Sequence, residues 1–290
     1  MEPTELVRSI KEKGKSFQAE MSFFDHIDIL RMHLIRSSIA IIIFTGLAFF
    51  FYDFIFNTIV MGPKKTDFWT YRMMCLIGEK FDMGPDFCVK SIPFNIINTD
   101  MAGQFNLQMN SSLLIGVVLG FPYLIFELWR FVKPALHERE SRLASRFAFY
   151  AIILFLAGIS FGYFIITPLS INFLANFKVS ELIQNQITID SYLSTVSTLS
   201  LGTGIVFELP ILVFILSKLG IMTPRLMRSS RRYAVVIILI IAAIVTPTPD
   251  ALTMLTVSFP LFLLYELSIF VSSMVEKSKK KSEAAFGGNN

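Results

Sequence analysis

The chain has 290 residues, of which 53% are apolar, 17% are charged and 30 are Phe, and its mean hydropathy is +0.61. Soluble domains carry about 25% charged residues, so this composition excludes an ordinary soluble domain, and the hydropathy excludes a disordered chain. Two Cys exclude a disulfide-stapled secreted scaffold, and the net charge of +4 must be read from where the basic residues fall.

Six apolar stretches follow one another along the chain, at 37–59, 107–128, 147–166, 195–217, 233–245 and 251–272. At the chain's average frequency they would hold about twenty charged side chains; they hold four, Asp53, Glu127, Glu208 and Glu266, and no Lys or Arg. Backbone groups in lipid need internal partners, so the spacing predicts an all-α integral membrane protein with six transmembrane helices. Three segments are expected: an N-terminal segment over 1–36, the membrane domain over 37–272, and a basic, disordered tail over 273–290.

The loops set the orientation. Residues 1–36 hold six basic side chains, 129–146 five, 220–232 four and the tail from 273 four, whereas 167–194 holds only Lys178 and 60–106 balances five basic against five acidic residues. The positive-inside rule then predicts both termini in the cytoplasm. The first apolar run follows about 34 mostly polar residues and is followed by no small-residue cleavage pattern, so it is expected to act as its own anchor, without a cleavable signal peptide. Basic residues at membrane boundaries, without a nucleic-acid motif, argue for lipid contact and against nucleic acid.

The fifth stretch offers only 13 residues before the 246–250 turn, about 20 Å of helix against ~30 Å of hydrocarbon. The sixth has about 15 apolar residues before Glu266, so a short fifth and sixth helix are expected, giving a low wall to a concave bundle. Gly116 with Gly120 and Gly158 with Gly162 have the four-residue spacing that lets helices approach closely, with a substrate groove as the other reading, and Gly202 and Gly204 are expected to serve likewise. Pro122, Pro210 and Pro260 fall inside spans and should kink them.

Asp53, Glu127 and Glu266 lie near span ends, where a carboxylate can reach the headgroups. Glu208 sits near mid-span beside Pro210, where a lipid-facing anion costs at least ~2.5 kcal/mol, so a polar partner, a watery concavity or protonation is expected there. Cys75 and Cys88 share one non-cytoplasmic connection with no other Cys or His to complete a metal site, which points to a disulfide. His26, His33 and His137 form no zinc pattern, and no nucleophile turn or phosphate loop occurs, so neither catalysis nor a cofactor is expected.

Six segments stand out in order: Phe24-Asp25-His26-Ile27-Asp28-Ile29-Leu30-Arg31 before the first span, the run from Pro122 to Leu136 leading into Glu138-Arg139-Glu140-Ser141-Arg142, Phe207-Glu208-Leu209-Pro210, Arg231-Arg232-Tyr233, Thr246-Pro247 with Asp250, and Leu264-Tyr265-Glu266. Together they resemble the TatC family of twin-arginine translocase subunits. The resemblance spans about 22–272. It implies a receptor core in the bacterial cytoplasmic membrane that binds twin-arginine signal peptides and moves folded proteins with single-span TatA- and TatB-type partners, as part of an oligomer. Carried over to matching positions, it implies a signal-peptide site at Phe131, Glu140, Arg142, His26 and Asp28, and an intramembrane partner site at Glu208. Three positions depart from the family pattern: Ser141 replaces an Arg, Glu127 stands where Gln is usual, and Ile29 where a second acid is common. The first keeps Glu138 open as an alternative to Glu140, and the third leaves Asp28 as the acid of the entry segment.

The loop at 129–146 nets +3, so a dipeptide of arginines would be drawn there only by placed carboxylates, which pair bidentately with guanidinium. A proton-coupled small-solute transporter is the other class Glu208 allows, although it expects repeats or several converging charges.

Overall fold

The computed structural model describes residues 23–82, 88–89, 91–132, 141–180, 185–218, 220–246 and 251–287. Helix α1 (Phe23–Phe50) continues through Tyr52–Phe54 into a π-helical turn, Ile55–Val60, and a 3-10 turn, Gly62–Lys64. Then follow α2 (Trp69–Lys80), β1 (Asn95–Ile97), α3 (Gly103–Val132), α4 (Ser141–Phe161), a π-helical turn at Gly162–Ile166, and α5 (Thr167–Asn176). After β2 (Gln186–Thr188) come α6 (Ile189–Val206), α7 (Leu209–Lys218), α8 (Pro224–Ser229), α9 (Arg231–Val245) and α10 (Ala251–Gly287).

Among the described residues, five helical stretches are long and apolar enough to cross a membrane: Ile27–Phe50, Gly103–Phe131, Ala148–Asn176, Ile189–Lys218 and Thr253–Lys277. The sixth expected span is α9, whose 15 residues rise only about 22 Å. The fifth helix is short, as its sequence requires. The sixth is not: α10 runs 37 residues, because Glu266 does not end the helix. Its carboxylate is taken up by Arg231 at 2.7 Å, and the chain beyond it stays helical through Gly287, where a disordered tail was expected. The third span also extends past 166. In its π-helical turn the Gly162 carbonyl accepts both the Thr167 amide and, at 2.8 Å, Thr167 Oγ1, and Pro168 then falls in the first turn of α5, where its missing amide hydrogen is tolerated.

Glycines decide which helices touch. A Cβ at Gly116 would lie 2.7 and 2.8 Å from the backbone N and Cα of Thr45, and one at Gly120 would lie 2.7 Å from Ile41, so α1 and α3 are in near backbone contact. Gly158, Gly162 and Gly204 do the same between α4 and α6, where Thr203 Oγ1 also donates to the Gly158 carbonyl at 3.0 Å. Both four-residue glycine pairs therefore serve helix packing. Gly202 does not, since the nearest atom to its absent Cβ is Val245 Cγ1 at 3.8 Å. Buried Ser217 and Ser272 share a 2.8 Å hydrogen bond that ties α7 to α10.

At the end of the bundle away from the start of α1, three tyrosines reach backbone carbonyls in and beside the irregular turns. Tyr71 lies 3.0 Å from the carbonyls of both Pro63 and Pro168, Tyr163 donates to Ile59 at 2.7 Å and Tyr192 to Val60 at 2.9 Å. Burial pushes the Tyr71 hydroxyl well above the usual tyrosine range, so it remains a donor. On the same end Cys75 and Cys88 form a disulfide with Cα atoms 4.3 Å apart, and β1 pairs in parallel with β2, Asn95 opposite Gln186 and Ile97 opposite Thr188.

Candidate functional site at the start of the first helix

Helices α1 and α3 run antiparallel, with Thr45 beside Gly116, Ile41 beside Gly120 and His33 beside Glu127. The first step is four residues on each helix, and the second is eight on α1 against seven on α3, so the register drifts by one residue toward the start of α1. Carried one turn beyond His33 and Glu127, the register puts Ile29 level with Phe131 and Asp28 level with Val132. Glycine packing in mid-membrane thus fixes the relation of the entry segment to the end of α3.

At this junction Glu127 is only 2% exposed, and it does not reach out to the boundary as its position in the sequence suggests. Its Oε2 lies 2.5 Å from His33 Nδ1, and its Oε1 accepts from the Tyr123 hydroxyl at 2.8 Å. Both carboxylate oxygens are satisfied, which is the condition for retaining a buried acid. Tyr123 precedes Glu127 by one helical turn on the same face, and Phe131 follows by another. Phe131, half-buried, meets the His33 ring edge-on at a centroid distance of 6.1 Å. Arg36 and Arg130 are near enough to act electrostatically on the Tyr123 and Glu127 pair.

The residues expected to form a signal-peptide site fall as follows. Phe131 is at this junction, and Asp28 is exposed on the first turns of α1. His26 lies in α1 and Arg142 in α4, with side chains outside the described residues; Glu138 and Glu140 lie outside them entirely. The structure adds His33 and Tyr123, which the sequence reading passed over. An acid near the end of an apolar span calls for a donor at equal depth on a neighbouring helix, and His33 was the available one.

Glu208 lies elsewhere, in the break between α6 and α7. Its carbonyl accepts from the amides of Ile211 and Leu212, which starts α7, while Pro210 has no amide hydrogen to give the Val206 carbonyl at the end of α6. Its Oε1 is buried and has no hydrogen-bond partner among the described residues. The intramembrane carboxylate thus has an open acceptor.

The comparisons with known proteins agree. The family model described as Sec-independent protein translocase protein (TatC) matches residues 25–260. The TatC protein of Blattabacterium sp. subsp. Periplaneta americana is 36% identical over 266 residues, covering 91% of this chain and 100% of that protein, and the TatC of Aquifex aeolicus is 32% identical with the same coverage of both chains. The crystal structure of the twin arginine translocase receptor TatC superposes with a TM-score of 0.64 at 31% identity, covering 87% of this chain and 99% of that one. With the family model spanning most of the chain and the helical frame shared, this protein belongs to the TatC family of Sec-independent protein translocase proteins.

Proposed function

We propose that the chain is the receptor subunit of a twin-arginine translocase in the bacterial cytoplasmic membrane, with both termini in the cytoplasm, and that it binds twin-arginine signal peptides where α1 begins and α3 ends. The observation that supports this is the α1 and α3 junction, where Phe131 meets His33 and Asp28 is exposed about one turn before His33, among Arg31, Arg36 and Arg130. Such a face repels a basic peptide in general, so binding falls to acids at fixed positions: Asp28, and Glu140 or Glu138 in the adjoining loop. Phe131 offers an apolar surface for the hydrophobic part of the same peptide. His26 stands two residues before Asp28, and Arg142 two residues after Glu140.

Transport would then use Glu208 as a docking point for a polar group of a single-span partner subunit of TatA or TatB type, within an oligomeric complex. Its buried Oε1, which has no hydrogen-bond partner among the described residues, supports that role. A proton-coupled small-solute carrier gains nothing from the comparisons. The experiment is copurification from native membranes: the full chain, tagged, should retain a single-span partner and a precursor bearing a twin-arginine signal. Retention of neither, together with uptake of a small solute by vesicles holding only this chain, would replace the receptor reading with the carrier.

A further inference from the structure

Between α8, α9 and α10 lies a cavity of about 490 Å³ that the receptor role does not use. Arg225, Arg228, Arg231 and Lys277 line it, against two acids, Glu266 and Glu276. Arg231 is spent on Glu266 at 2.7 Å, and Arg228 reaches the Ser273 hydroxyl at 3.4 Å, a long contact. Arg225 and Lys277 are exposed, with no acidic partner among the described residues. The opposite wall is apolar: Ile269 is buried, while Phe270 is 61% and Met274 47% exposed. A basic floor beside an open apolar wall fits a molecule with an anionic head and a hydrocarbon body.

We propose that this cavity binds the phosphate-bearing headgroup of an anionic phospholipid. Two placements favour lipid over a free anion. The apolar stretch Thr253–Lys277 ends at the cavity, which sets the basic groups at the membrane boundary. Helix α9 starts there too, and its 15 residues span about 22 Å against ~30 Å of hydrocarbon, so the bilayer must thin or its headgroups be drawn inward beside it. Arg225 and Arg228, just before α9, would hold those headgroups at the lowered level. Exposed Phe270 and Met274 would take the first carbons of the acyl chain.

Native mass spectrometry of the full chain in detergent tests this, with phosphatidylglycerol or phosphatidylcholine added in separate arms. Retention of phosphatidylglycerol should exceed that of phosphatidylcholine, and should fall about fivefold for each charge lost, hence about 25-fold in Arg225→Gln/Arg228→Gln. Both side chains are exposed, and Arg225→Lys/Arg228→Lys should keep most of the retention, which separates lost charge from lost fold. Arg139→Gln/Arg146→Gln, removing equal charge from the stretch 129–146, should leave it unchanged. Equal retention of the two lipids, an unaffected Gln double variant, an equal loss in the Arg139 and Arg146 control, or displacement of the lipid by excess inorganic phosphate would each overturn the proposal.

Discussion

His33 on α1 and Glu127 on α3 are 94 positions apart in the chain, yet His33 Nδ1 lies 2.5 Å from Glu127 Oε2, with the histidine half-buried and the carboxylate almost wholly so. Two extended helices that are otherwise joined by apolar contact thereby acquire a fixed polar latch beside Phe131. A latch of this kind sets register as well as strength, since a slip of one residue strands a buried carboxylate.

Removing one partner should therefore cost more than removing both. His33→Ala is expected to destabilise the chain by about 3 to 5 kcal/mol, because it leaves Glu127 buried with Tyr123 as its one remaining partner, whereas Glu127→Gln, which can still accept and donate, should cost under about 1.5 kcal/mol. Thermal unfolding in detergent of His33→Ala, Glu127→Ala and the double variant is the measurement. Additive losses in the double variant would show that the two side chains do not act as a pair.

Glycine positions separate contact from mere composition. Gly116→Ala and Gly162→Ala should each destabilise by roughly 1 to 3 kcal/mol, since a methyl meets the Thr45 backbone in one case and the Leu199 carbonyl in the other. Gly202→Ala should be neutral or slightly stabilising, having open space and a helical backbone. Parallel unfolding curves check this, and equal behaviour of the three variants would contradict the packing described.

The disulfide between Cys75 and Cys88 closes a segment at the end of the bundle opposite Phe131. Cys75→Ser/Cys88→Ser should lower stability by about 2 to 4 kcal/mol and leave signal-peptide crosslinking unchanged. Thiol alkylation of native membranes without reductant should find neither cysteine free. Labelling of both would remove the disulfide from the account.

Much of this fold could be read from the order of residues, because excluding charge from 20-residue stretches is a strong and local signal. What could not be read depends on contacts between distant segments. Strand β1 has three residues and finds its partner about 90 positions away, so neither strand carries a pattern of its own. The π-helical turn at Gly162–Ile166 hides the continuation of a span behind Thr167 and Pro168, a pair that reads as a helix stop. Glu266 looked like the end of the last span because its partner Arg231 lies on another helix. The same holds at the junction: Phe131 and Asp28 stand out in the loop and entry motifs, but His33 meets Phe131 and Glu127 only through the packing of α1 on α3 at Gly116 and Gly120.

Glu208 tests the intramembrane part of the proposal. Glu208→Ala should leave insertion and signal-peptide capture intact while impairing transport and crosslinking from position 208 to single-span partners, because the buried acceptor at Oε1 is lost. Glu208→Gln should be milder, as its amide still hydrogen-bonds. A Glu208→Ala chain that transports at the normal rate with unchanged partner crosslinks would reduce the residue to a packing group.

The most direct test of the receptor claim is the affinity of a twin-arginine signal peptide, measured by site-specific crosslinking to the membrane-embedded chain with and without Glu140→Ala. Loss of a charge-assisted carboxylate and guanidinium pair predicts weakening by about 1.5 to 3 kcal/mol, roughly 10- to 150-fold, with Glu140→Asp retaining part of the binding. If Glu138→Ala abolishes crosslinking while Glu140→Ala does not, the acid that reads the arginines sits two residues earlier. If Glu140→Ala, Glu138→Ala and Asp28→Ala all leave the peptide bound at full strength, placed carboxylates do not recognise it, and the account of this face is contradicted.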